Sequence, residues 1–180
     1  MISPSQTVGP FFGYALPYGD GPYITPEWRP DAIMLRGSVL DGAGQPLPDA
    51  LVEVWQPDGG GAVQQRRGGA LRRAAAPFSG FGRCPTDKAG GYFFSLVKPG
   101  PLNDDSAPYI SMMVLARGLL KPVFTRVYFP GEPRNATDPL LAQIDPARRD
   151  TLIAEPDGDE RTYRFDVRLQ GDGETVFLAF

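Results

Sequence analysis

The apolar residues of this chain come in short runs, fenced by glycine, proline and aspartate. The runs are AIMLRGSVL (32–40), ALVEVWQ (50–56), GYFFSLV (91–97), YISMMVLA (109–116), FTRVYF (124–129), YRFDVRL (163–169) and ETVFLAF (174–180). Between them fall most of the 22 glycines and 20 prolines. Runs of this length with turn residues at each end suit strands better than helices. LVEVWQ and YRFDVRL alternate as half-buried strands do. DGAGQPLP (41–48) supplies the turn chemistry of a hairpin-like connection. The expected fold is all-β, a two-sheet β-sandwich with long loops, in one domain over 1–180.

Only DPLLAQIDPARRDTL (138–152) reads as helical. Asp138 is a candidate N-cap and Pro139 suits the first helical position. Pro146 is expected to split the segment into two short pieces. Two further stretches are not obvious strands. Residues 1–31 carry Phe11, Phe12, Tyr14, Tyr18, Tyr23 and Trp28. So many aromatics call for an apolar surface to lie against, in this domain or in a partner. Residues 57–77 have low complexity and read as a loop.

The chain has no histidine. That excludes Ser-His-Asp and Cys-His catalysis and any His-ligated metal site within it. Cys84 is the only cysteine, so no internal disulfide can form, which fits a reducing cytoplasm. With a net charge of −3 there is no basic surface for nucleic acid; the arginines of QQRRGGALRR (64–73) form a local run in a Gly-rich loop. No apolar run approaches the roughly 18 residues that span a bilayer. The start, MISPSQTVGPFF, lacks a signal peptide's basic head and long apolar core. The expected location is the cytoplasm, away from membranes.

Some side chains could carry chemistry. Glu53 sits inside an apolar strand and needs a partner; Arg83 is a candidate. It is either a general base or a structural carboxylate. Thr86 and Asp87 read as a turn hydrogen-bonded to backbone, with no following helix to cradle a phosphate. Cys84 has little beside it to activate a thiol. Arg126 and Tyr128 share one strand face. Such an arginine either pairs with a carboxylate or faces a cleft where an anion can meet its fork. Tyr109 and Ser111 also share a face, a place where a β protein could set two metal ligands.

Taken in order, PSQTVGPFF, LRGSVLDGAGQPLPDALVEVWQPD, FSGFGRCPTDKAGGYFFSLVKPG, APYISMMVLARGLL, TRVYFPGE, DPLL, RRDTLIA and YRFDVRLQGDGETVFLAF resemble the intradiol ring-cleaving dioxygenases. The resemblance runs from about Ser3 to Phe180. It implies a β-sandwich and a reaction that opens a catechol ring with O₂. Catalytic members hold a non-haem ferric ion with two tyrosines and two histidines. The matching positions here are Val63 and Leu102 for the tyrosines, Tyr109 and Ser111 for the histidines. Ser106 replaces the arginine of the Arg-Pro-x-His-x-His pattern. One phenol does not make a ferric site. The resemblance therefore implies a non-ligating chain whose iron, Fe(3+), belongs to a homologous partner, the β subunit, in a hetero-oligomer of αβ pairs. It also implies which residues complete the pocket for a small aromatic substrate: Thr7, Val8, Gly9, Pro10, Phe11 and Arg126. Residues 1–31 would then pack on the partner. The alternative is a non-enzymatic, transthyretin-like β-sandwich that kept the fold for binding or assembly.

Overall fold

The computed structural model describes Gly9, residues 11–64 and residues 78–179. Among these, the strands are β1 (Ala32–Leu40), β2 (Leu51–Trp55), β3 (Phe81–Pro85), β4 (Gly91–Val97), β5 (Tyr109–Leu115), β6 (Val123–Tyr128), β7 (Glu155–Asp157), β8 (Asp159–Arg164) and β9 (Val167–Arg168). One sheet has the order β4-β1-β8-β7, with β9 also on β1; the other has the order β3-β2-β5-β6. The second sheet is antiparallel throughout, while β1 pairs antiparallel with β4 and parallel with β8 and β9. The main core lies between the sheets. Leu35 and Val39 of β1 and Phe94 of β4 meet Val52, Val54, Ile110 and Met112 of the facing strands, all within 1% of full burial. This is the expected sandwich. No helix among the described residues is long and apolar enough to cross a membrane.

Aspartate builds the same turn three times. Asp41, Asp58 and Asp87 each accept, through Oδ1, the backbone N–H groups two and four residues on. Each carbonyl takes the N–H of a glycine three residues on, Gly44, Gly61 or Gly90, and that glycine has positive φ. The carboxylate thereby satisfies turn amides that the strands leave unpaired. DGAGQ and DKAGG were legible as turns. DGGGA (58–62) begins the low-complexity loop and is as well ordered by hydrogen bonds as the other two; residues 65–77 lie outside the described part.

Helical structure is short. Asp138 caps α2 (Pro139–Gln143) by accepting from Leu140 N and Leu141 N, and Asp145 caps α3 (Pro146–Arg149). The break falls at Pro146, as its missing N–H requires. One turn, α1 (Phe12–Ala15), was not expected. It lays Phe12 on the outer face of the second sheet, against Leu51 and Leu115. That explains why β2 is buried from Leu51 to Val54 instead of alternating.

Three sequence readings are corrected. Phe81–Pro85 forms β3, a strand absent from the expected runs. A Cβ at Gly82 would stand 2.8 Å from Ile24 Cγ1 and 2.9 Å from a Phe94 ring carbon, so the glycine makes room in the core. Residues 163–169 are not one strand but the end of β8 and all of β9, parted at Phe165 and Asp166. Residues 174–179 form no strand. Thr175 N bonds to Arg168 O in one sheet and Leu178 N to Phe124 O in the other, so the segment straps the sandwich edge without a ladder.

The first thirty residues divide. Ile24 is 2% exposed in the core, with Ile24 N and Thr25 N donating to Ser95 O. Phe12 is also buried in this domain, while Phe11, Tyr14 and Trp28 are 73%, 89% and 80% exposed.

Candidate functional site

Alternation on the second sheet sends Val52, Val54, Ile110 and Met112 inward. It sends Glu53, Trp55, Tyr109, Ser111, Arg126 and Tyr128 outward. Register then sets neighbours: Trp55 and Arg126 flank Ser111, and Tyr109 pairs with Tyr128. The helical turn over Phe12 covers one end of this outer face and α2 the other, where Tyr128 packs with Leu141 and Leu152.

Beside α2 lies a cleft of about 370 Å³, lined by Asn103, Ser106, Tyr109, Arg126, Asp138 and Gln143 among others. Arg126 lays its guanidinium on the Tyr109 ring, with Cζ 3.9 Å from the centroid. Its Nη1 donates to Tyr128 Oη at 3.2 Å. Tyr128 Oη lies 3.1 Å from Asp138 Oδ1 and donates to it. Asp138 is 1% exposed, and its charge is met by three backbone donors as well: Leu140 N, Leu141 N and Ala107 N. Burial pushes the Tyr128 phenol above its ordinary pKa; the Arg126 guanidinium pulls the other way, and Asp138 adds a lesser push upward. The phenol therefore stays protonated at neutral pH and bridges a cation to a buried anion.

Of the two readings open for Arg126, the cleft is the one the geometry supports. No carboxylate forms an ion pair with it among the described residues. Its neighbours are a ring face and a neutral phenol, and most of its five donors have no protein partner among the described residues.

Glu53 takes the structural role. Arg83 Nε donates to Glu53 Oε1 at 2.5 Å, and Arg83 Nη1 to Leu16 O at 2.7 Å. Cys84 is 4% exposed, and burial pushes its thiol up, away from reactivity.

Val63, Leu102, Tyr109 and Ser111, the positions that the resemblance sets against iron ligands, do not offer a donor set that fits a ferric ion. The loops bearing Val63 and Leu102 are packed together, with Gly100 N donating to Asp58 O at 2.8 Å. Their side chains, 60% and 40% exposed, have no donor atom to offer. Tyr109 lies under a guanidinium, whose charge opposes a cation there, and Ser111 is the cross-strand neighbour of that same arginine. Among the described residues no three His, Cys, Asp or Glu side chains cluster as metal ligands.

Thr7, Val8 and Pro10 lie outside the described residues. Gly9 has φ 84° with open space where a Cβ would stand, and Phe11 is exposed. The structure does not bring Phe11 and Arg126 together. Phe12 packs at Leu115 and Arg126 lies over Tyr109, six residues or roughly 20 Å apart along β5. The residues missed in the sequence are the supports of Arg126. Tyr128 was legible as its same-face neighbour and Asp138 as a cap, but their contact depends on how α2 returns to the sheet.

The chain matches the dioxygenase family profile over residues 24–171. It is 41% identical over 192 residues to a protocatechuate 3,4-dioxygenase alpha chain of Burkholderia cepacia, covering 98% of this chain and 96% of that one. It is 32% identical over 161 residues to the beta chain from the same organism, covering 81% of this chain and 67% of that one. The dioxygenase domain of a dioxygenase and carbohydrate-binding fusion protein from Streptomyces sp. SirexAA-E superposes with a TM-score of 0.63 at 28% identity, covering 93% of this chain and 97% of that one.

Proposed function

The chain belongs to the dioxygenase family, and from that premise we propose that it is the α subunit of a protocatechuate 3,4-dioxygenase, a cytoplasmic enzyme of aromatic catabolism. The observation that carries this reading is the match to an α chain over 98% of the sequence at 41% identity, against 32% over a shorter span for a β chain. It favours a working subunit over a transthyretin-like assembly domain. The complex opens the ring of protocatechuate between its two hydroxyl-bearing carbons. Both atoms of O₂ enter the product, 3-carboxy-cis,cis-muconate.

Ferric iron, held by a homologous β subunit, supplies the activation of the catechol toward O₂. This chain supplies none of the ligands. Its share is recognition and enclosure. Arg126 is the contact for the ring carboxylate, since a planar fork on the wall of a cleft matches a carboxylate with paired, charge-assisted bonds. Thr7, Val8, Gly9, Pro10 and Phe11 form the second contribution, an arm that reaches the pocket once the partner is bound, since in the chain alone Phe11 stands away from Arg126; Gly9 permits close backbone approach and Phe11 gives an apolar wall. The exposed rings of Phe11, Tyr14 and Trp28 suit burial against the partner. Covering the site in this way also excludes water from the reacting ring.

Co-expression with a β-type homologue tests the reading. A tag on this chain is expected to recover a coloured complex that consumes O₂ with protocatechuate, while the chain alone is inactive. A chain that stays monodisperse beside such a partner, or that turns over substrate without one, would overturn it.

A further inference from the structure

Arg126 is held in a way that the carboxylate contact alone does not require. A guanidinium on a long side chain has many rotamers, and in this chain two groups remove that freedom. The Tyr109 ring supports its flat face at 3.9 Å. Tyr128 accepts from Nη1 at 3.2 Å. Tyr128 can do so because its own proton is committed to Asp138 Oδ1 at 3.1 Å, which leaves the phenol oxygen as an acceptor. Asp138 cannot swing toward Arg126 and neutralise it, since three backbone N–H groups fix its carboxylate. The sequence of contacts therefore runs from the cap of α2, through one phenol, to a cation whose other donors have no partner among the described residues and are left for the cleft. Asp105, exposed at the rim, forms no ion pair with it.

We infer that Tyr109, Tyr128 and Asp138 are positioning residues that hold the Arg126 fork open to the cleft, and that they set the preference of the complex for catechols bearing a ring carboxylate. The inference rests on the reading of Arg126 given above. It gives Tyr109 a task of its own: the residue standing where a relative places a histidine ligand is the platform for the substrate's counter-charge. A fork already immobilised loses less freedom on binding than one that must be ordered by the substrate.

The test compares kcat/KM for protocatechuate and for catechol, which lacks the carboxylate, in the αβ complex. Tyr128→Phe is expected to lower the ratio roughly three- to tenfold, the range set by freeing one long side chain. The loss should sit in the KM for protocatechuate, with the visible absorption of the iron unchanged. Tyr109→Leu removes the platform and is expected to act alike, whereas Tyr109→Phe keeps the ring and the ratio. Tyr109 is half-buried on the outer face, so its variants read the effect even where Tyr128→Phe fails to fold. If Arg126→Ala lowers the ratio while Tyr128→Phe and Tyr109→Leu leave it unchanged, the positioning inference is overturned and the Arg126 contact stands. If Arg126→Ala also leaves it unchanged, both are overturned.

Discussion

Arg83 and Glu53 face each other across β3 and β2, with Nε 2.5 Å from Oε1, on the sheet face turned away from the core. Glu53 is 4% exposed there. The same arginine reaches Leu16 O and stands over the rings of Tyr18 and Phe81, so it pins the N-terminal turn to the sheet. Arg83→Ala leaves a buried carboxylate without its counter-charge, and a loss of about 3–5 kcal/mol is expected. Replacing both residues by leucine should cost less than Arg83→Ala alone, because no charge is stranded. Urea unfolding of the single and double variants checks this.

Gly37 lies opposite Tyr92 in the β1–β4 ladder. A Cβ there would run into the Phe165 carbonyl, which also accepts from Tyr92 Oη at 2.5 Å. The chain between β8 and β9 crosses β1 at this point and needs a residue without a side chain. Gly37→Ala is expected to cost at least the upper part of the roughly 1–3 kcal/mol of an overpacked core, since the obstructing atom is backbone. Thermal unfolding beside Gly118→Ala, where the left-handed backbone (φ 90°) but no clash opposes a Cβ, separates crowding from backbone strain.

The runs that became β1, β2, β4, β5 and β6 were legible, and so was the break of the helical segment, because Asp138, Pro139 and Pro146 act locally. β3 was not, because Gly82 serves a contact with Ile24, which is 58 residues away. The strap at 174–179 looked like a strand because VFLAF has strand composition; what denies it a ladder is that Arg168 and Phe124 lie in different sheets. At the candidate site, Arg126 stood out as a cation in an apolar strand. The Tyr128–Asp138 contact did not, since the sequence shows the cap and the phenol but not the return of the chain that joins them.

Alkaline pH should unfold the protein through its buried acids. Burial raises the thiol of Cys84 and the phenols of Tyr92 and Tyr128. The folded state thus keeps these protons at pH values where the unfolded chain gives them up. Stability from this source is complete below the unfolded pKa values and falls above them, from about pH 8.5 for the thiol and about pH 10 for the phenols. Each group adds a slope of about 1.4 kcal/mol per pH unit in that window. The urea midpoint is expected to hold between pH 6 and 8, fall gently to about 10, and then fall steeply. Tyr128→Phe should lower the midpoint at pH 7 by loss of its hydrogen bonds, yet flatten the steep limb, because one titrating phenol is gone. A midpoint that stays level to pH 11 would show that folding does not raise the pKa values of these three groups.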